Sequence, residues 1–181
     1  MIRVLDLAIF WYLNSWAGAS KAYDALIIFC AQYLGYLCVA AFFLLLFFWR
    51  RSQQEKISIF WVAVASVVIA RLGVTEFIRF FYHRPRPFIA HHVHQLISET
   101  EWSFPSGHAA FFFALAAAVY LYDKKWGMAF FAASVAMGIG RVAAGVHYPS
   151  DILGGMLIGA VVACVVFYFV EIWQQGKVSK I

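Results

Sequence analysis

Arg79, Arg86 and Arg141 sit at the edges of long apolar stretches, where a guanidinium is costly without a partner. Carboxylates are scarce at that depth in the sequence, so unpaired arginines converging at one interface call for an anion. The planar fork of guanidinium donors matches phosphate oxygens. For Arg84 alone, snorkelling of the charge to lipid headgroups is an equal reading. A second polar cluster lies in EWSFPSGHAAFFF, Glu101 to Phe113. Ser106 can offer a hydroxyl, Gly107 leaves its backbone N–H open to an anion, and both fall at a helix N-terminus, whose free N–H groups favour negative charge. His108, one residue on, is placed to protonate a leaving group. Ser-Gly by itself marks only a turn. The third cluster is GRVAAGVHYPSD, Gly140 to Asp151. Asp151 can accept from one nitrogen of His147 and fix its tautomer, leaving the other to attack phosphorus. Asp151 also suits a helix cap, and the two roles are compatible.

Composition dictates the setting. The chain is 64% hydrophobic and 13% charged, with 19 Phe. That leaves too little polar surface for a water-soluble core and supplies apolar runs near the ~20 residues that span a bilayer. The net charge of +5 is dispersed between apolar runs. It forms no basic block of the kind that binds nucleic acid. Cys30, Cys38 and Cys164 lie inside apolar runs as small hydrophobes, with no metal-ligand spacing. The N-terminus carries no cleavable signal pattern.

The expected architecture is an all-α polytopic membrane bundle, a single domain over 1–181, with five transmembrane helices and an N-terminal interfacial helix over 1–18. Arg3, Asp6 and Asn14 fall roughly on one face of that first helix, and Trp11, Tyr12 and Trp16 suit the headgroup level. A tilted sixth crossing is the alternative. The spans are expected over 24–49, 57–81, 106–122, 126–144 and 151–173, followed by a polar tail, 174–181. Phe88 to Phe104 is expected as a loop, Pro105 as a first-turn residue, and Asp123–Lys125 and His147–Asp151 as tight turns. Counting crossings puts Arg79–Pro87, Ser106–His108 and Arg141–Asp151 on one face. Arg50, Arg51, Lys56, Lys124, Lys125, Lys177 and Lys180 fall on the other, so the positive-inside rule places the polar clusters outside the cytoplasm. Gly154, Gly155 and Gly159 read as close-packing positions, and Gly138 and Gly140 let the fourth span approach the polar face. Arg71 and Glu76, inside the second span, read as structural, interacting with one another or with Thr75. A polar path through a transporter or flippase is the competing reading.

Together the three clusters resemble the signature motifs of the type 2 phosphatidic acid phosphatase (PAP2) superfamily. Arg79 through Arg86 and Pro87 match the first motif, with Arg where Lys is usual. Pro105, Ser106, Gly107 and His108 match the second. Arg141, His147 and Asp151 match the third, with Gly140 where Ser is usual. The resemblance covers about Lys21 to Trp173. It implies a covalent mechanism without metal or cofactor: Arg79, Arg86, Arg141, Ser106 and the Gly107 N–H hold phosphate, His147 attacks, His108 is acid then base, and Asp151 holds His147. RPRPFIAHHVHQLI, Arg84 to Ile97, resembles the bacterial undecaprenyl-pyrophosphate phosphatases of the bacitracin-resistance type. The implied partner is a polyprenyl or other phospholipid phosphate in the cytoplasmic membrane, hydrolysed on the extracytoplasmic side to recycle the cell-wall carrier lipid. Phosphatidylglycerophosphate, phosphatidic acid or another lipid monoester is the alternative substrate, and a catalytically silent lipid-binding protein the alternative class. His91, His92 and His94, with Arg84, are possible headgroup contacts. The histidines are equally readable as solvated loop residues, and their spacing gives zinc no fixed scaffold.

Overall fold

The computed structural model describes residues 2–178, with side chains over 4–173; the side chains of Arg3, Lys177 and Lys180, and of the rest of the tail 174–181, lie outside the described residues. Within that range the chain is all helix, with no strand. Helix α1 covers Ile2–Asn14. The first long rod joins α2 (Lys21–Ile28), a π-helical segment Phe29–Tyr33 and α3 (Leu34–Phe48). The second joins α4 (Gln53–Val68), a π-helical segment Ile69–Val74 and α5 (Thr75–Phe81). A short α6 (Pro87–Ala90) leads through a loop to α7 (Gly107–Tyr122), α8 (Lys124–Ala143) and α9 (Pro149–Val178). Lys21–Phe48, Gln53–Phe81, Lys124–Ala143 and Pro149–Trp173 are long and apolar enough to cross a membrane.

Helix starts follow local chemistry. Ser20 Oγ accepts from the Tyr23 N–H at 3.2 Å, and Ser52 and Glu55 form a reciprocal capping box. Asp123 ends α7 and caps α8 by accepting from the Trp126 N–H at 3.1 Å, so the expected Asp123–Lys125 turn shrinks to one residue. Two further expectations are corrected. Pro105 precedes the cap rather than sitting in the first turn, because Ser106 is extended and its Oγ accepts from the Ala109 N–H. The expected loop from Phe88 opens as helix α6, because Pro87 pre-sets the backbone of a first turn.

Helix α7 is the buried axis, packed against α4, α8 and α9. With 16 residues it is about 24 Å long, yet it traverses the bundle. At one end the Ser106 N–H donates to the Asp151 carbonyl at 3.0 Å. At the other, Tyr122 OH lies 2.9 Å from Ser58 Oγ, and the Tyr122 carbonyl accepts from Arg51. Close approach depends on small residues: a Cβ on Gly159 would lie 2.6 Å from both the Ala110 carbonyl oxygen and the Ala114 nitrogen. The serine-glycine turn and the α8–α9 turn therefore share one end of the bundle, as the topology requires.

Helix α1 turns Asp6 and Asn14 inward. Asp6 and Asn14 are buried, whereas Val4, Leu5, Ile9 and Tyr12 are exposed. Phe10 packs with Val142 and Tyr148. Asn14 Nδ2 donates to the His94 and Ala143 carbonyls at 2.8 and 2.9 Å, and Oδ1 accepts from the His94 N–H at 3.2 Å. These bonds fasten the 91–106 loop over the end of the bundle.

Candidate active site

The last turn of α5 carries Arg79, which is 4% exposed and donates to the Pro105 carbonyl from Nε at 3.3 Å and Nη2 at 3.0 Å. Arg86 is the extended cap of α6, and its Nη1 donates to the Val146 carbonyl at 2.9 Å. Arg141, in the last turn of α8, reaches the Ala31 carbonyl at 3.4 Å. The expectation that these cations lack protein partners is overturned. Glu99 accepts from Arg141 and, at 3.4 Å, from Arg86. Glu101 accepts from Arg79 and Arg71, and Glu76 from the same two arginines. The 91–106 loop folds its carboxylates back onto the helix ends, a tertiary event with no sequence period. Burial raises the carboxyls of Glu99 and Glu101, but the adjacent guanidiniums outweigh it and hold both below the usual carboxylate range.

His147 is buried in the α8–α9 turn. Its Nε2 stands 3.2 Å from Arg86 Nη1, and its Nδ1 stands 3.4 Å from Asp151 Oδ2. A guanidinium can only donate, so Nε2 carries the lone pair and the proton belongs on Nδ1, toward Asp151. Burial pushes the imidazole down to about 4 despite the upward pull of Asp151, which keeps the ring neutral at neutral pH. Asp151 does double duty: Oδ2 accepts from the Tyr148 N–H at 2.8 Å, bracing the first turn of α9, and from Ser103 Oγ at 2.6 Å. Ser103 has no sequence signature; only the loop's path brings it to Asp151.

His108, in the first turn of α7, lines a cavity of about 390 Å³ with Arg71, Glu99, Gly107 and Arg141. Its apolar lining includes Tyr36, Val39, Phe111 and Met137, with Gln32 beside them. Val39 and Phe111 also line a smaller apolar cavity of about 140 Å³ deeper between the helices. Arg71 lies so close to Gly107 that a Cβ there would meet its Nε at 2.5 Å. Gly107 thus admits a guanidinium as well as freeing a backbone N–H. Among the described residues, Arg141 Nε and His147 Nδ1 are buried without a hydrogen-bond partner, the latter reaching Asp151 only at the 3.4 Å ion-pair distance. Gly140, where Ser was the usual residue, has a packing reason: a Cβ would lie 2.8 Å from Cys30 Cβ and 2.9 Å from the Ala31 nitrogen.

Arg84, His91, His92 and His94 do not line the His108 cavity. Arg84 is bound to Asp6, Ser150 and Asp151. His91 packs between Trp11 and Tyr148, and the His94 ring lies against Gly18. His91, His92 and His94 line a separate cavity of about 370 Å³. Arg71 and Glu76 are paired, as the structural reading expected. Among the described residues no group of three His, Cys, Asp or Glu side chains could hold a metal ion.

Fold and site define a multi-pass membrane protein with arginines and a carboxylate-backed imidazole gathered at one end of a helix bundle. The profile of the PAP2 superfamily matches residues 60–175, and the chain belongs to that superfamily of lipid phosphatases. It is 29% identical over 98% of its length to the bacitracin transport permease protein BcrC of Bacillus licheniformis, covering 84% of that protein. It is 27% identical to the undecaprenyl-diphosphatase BcrC of Bacillus subtilis, over 93% of this chain and 86% of the relative. The crystal structure of Aquifex aeolicus LpxE superposes with a TM-score of 0.74 at 26% identity, over 91% of this chain and 95% of that one.

Proposed function

We propose that the protein hydrolyses the terminal phosphate of undecaprenyl diphosphate at the extracytoplasmic face of the cytoplasmic membrane, through a phosphohistidine. The observation that carries the chemistry is the pairing of His147, Nε2 toward Arg86 and Nδ1 toward Asp151. Nε2 attacks the terminal phosphorus, the bond from phosphorus to the bridging oxygen breaks, and that oxygen takes the electron pair and a proton from His108. Undecaprenyl phosphate leaves. His108, now neutral, takes a proton from water, which attacks the phosphohistidine; the N–P bond breaks and inorganic phosphate departs. Arg79, Arg86, Arg141, Ser106 and the Gly107 N–H hold the equatorial oxygens, where charge is spread in the transition state. Glu99 leaves the guanidiniums when phosphate arrives.

The polyprenyl substrate is supported by the similarity to the undecaprenyl-diphosphatase BcrC of Bacillus subtilis and by the apolar side chains that line the His108 cavity. The extracytoplasmic placement rests on Arg50, Arg51, Lys56, Lys124 and Lys125, which connect or begin helices at the other end. The test is phosphate release by purified protein from undecaprenyl diphosphate and from phosphatidylglycerophosphate, with chelator present. Undecaprenyl diphosphate should be preferred, and His147→Ala should reduce turnover at least 10³-fold, the order expected for losing a nucleophile. A preference for the monoester would reassign the substrate; an active His147→Ala protein would overturn the mechanism.

A further inference from the structure

We propose that Asp6, on the N-terminal helix outside the segment matched to the superfamily, is a positioning residue for the His147–Asp151 pair and acts through Arg84. The inference rests on the reading of His147 as nucleophile. Asp6 is 7% exposed, and a carboxylate so enclosed needs charged or hydrogen-bonding partners. It has them all at the base of the site: the Ser150 N–H at 2.8 Å, Ser150 Oγ at 2.7 Å and Arg84 Nη2 at 2.8 Å. The other arm of Arg84 donates to Asp151 Oδ1 at 2.6 Å and Ser150 Oγ at 2.6 Å, and its guanidinium lies 4.1 Å from the Tyr148 ring centroid. One cation is thus shared between a carboxylate from α1 and the carboxylate that faces His147.

Charge accounting gives that sharing a purpose. Asp6, Arg84 and Asp151 together carry one net negative charge beside a neutral imidazole. Without Asp6 the sum is zero, and Arg84 pairs with Asp151 alone. Attack by Nε2 on phosphorus, with the proton retained on Nδ1, makes the ring cationic, and the net negative charge stabilises it. The groups that face this network are Arg86 from the α6 cap, Ser103 from the loop, and Tyr148 and Ser150 from the start of α9, whereas Arg141 of α8 donates to Glu99 and Ala31 instead. None of them replaces the carboxylate that Asp6 supplies.

The experiment measures kcat and KM on undecaprenyl diphosphate, well below each protein's Tm, for Asp6→Asn, Arg84→Gln, the double variant, Asp6→Glu and Phe10→Leu. Asp6→Asn should lower kcat at least tenfold with KM within about twofold, and Asp6→Glu should recover much of the loss. In the Arg84→Gln background, Asp6→Asn should change kcat by less than about twofold, because the cation it offsets is gone. That double variant leaves neither member of the Asp6–Arg84 pair charged and keeps the test open if Asp6→Asn alone does not fold. Phe10→Leu loosens the same helix, removes no hydrogen bond or charge from the network and meets it only at the Tyr148 ring, so it should lower Tm while retaining kcat. The proposal is overturned if Asp6→Asn keeps wild-type kcat, if the Asp6 and Arg84 effects multiply, or if Phe10→Leu loses as much kcat. His147→Ala separates the two readings: activity there sinks the nucleophile assignment, whereas an inactive His147→Ala beside a fully active Asp6→Asn sinks only the role of Asp6.

Discussion

Glu99 holds two of the three arginines that the phosphate would need, and so it competes with phosphate for the same donors. Replacing it with Gln keeps the shape and removes the charge. Glu99→Gln should lower the inhibition constant for inorganic phosphate or vanadate about 5- to 10-fold, equivalent to ~1–1.4 kcal/mol, and lower Tm because Arg86 and Arg141 lose their carboxylate. Inhibition curves and thermal scans on the same preparations check both. His147 makes a second residue-level expectation. A protonated Nε2 has no lone pair, so kcat/KM should fall as pH drops through about 4, the value to which burial pushes the ring, rather than through 6.5. The same shift affects stability. Between 6.5 and about 4 the unfolded chain takes up a proton that the folded ring refuses, so this residue's contribution falls as pH falls across that window. An acid limb near 6.5 in the pH–rate profile would contradict the neutral, buried imidazole.

The two long rods each contain a π-helical segment at the level of the site, and each serves it. Phe29–Tyr33 presents the Ala31 carbonyl to Arg141, and Ile69–Val74 carries Arg71 against Gly107. Such wide turns are common at functional sites, where they re-aim side chains within an otherwise regular rod. Gly140 belongs to this geometry, since it lets α8 approach the first of these segments. Restoring the family's usual residue, Gly140→Ser, should therefore destabilise the protein by ~1–3 kcal/mol through overpacking rather than improve phosphate binding, as read by Tm and the phosphate inhibition constant. The α7–α9 seam is equally intolerant. Gly159→Val, two turns below Asp151, would push α9 from the α7 backbone. It should lower Tm and activity together, which separates it from the site variants that lower activity alone.

On the scale of the whole molecule, the α2–α3 rod, the α4–α5 rod, α7, α8 and α9 pack side by side between two faces, with the candidate site at one and most of the loop lysines and arginines at the other. A membrane-impermeant maleimide tests the orientation. In right-side-out vesicles, a cysteine at exposed position 92 (His92→Cys) should label from outside. One at exposed position 54 (Gln54→Cys) should label only after permeabilisation. Cys30, Cys38 and Cys164 lie within helical spans, so background labelling should be low. The opposite pattern would place hydrolysis on the cytoplasmic side.

Composition and the length of the apolar runs were enough to make this a membrane helix bundle, because a bilayer admits few ways to satisfy a backbone. Counting crossings was enough to bring Arg79, Arg86, His108, Arg141 and His147 to one end, because four helices are long enough to change sides and the shorter α7 still runs from one end of the bundle to the other. What the sequence could not show was which carboxylates answer those cations. Glu99, Glu101 and Ser103 sit in an irregular loop without periodicity, and Asp6 on a helix 78 residues away from Arg84 in the chain. Their placement was decided only when the loop was fastened over α7 and the N-terminal helix turned Asp6 and Asn14 inward. Buried charges must be matched wherever the fold brings them together, and spacing along the chain carries no record of that choice.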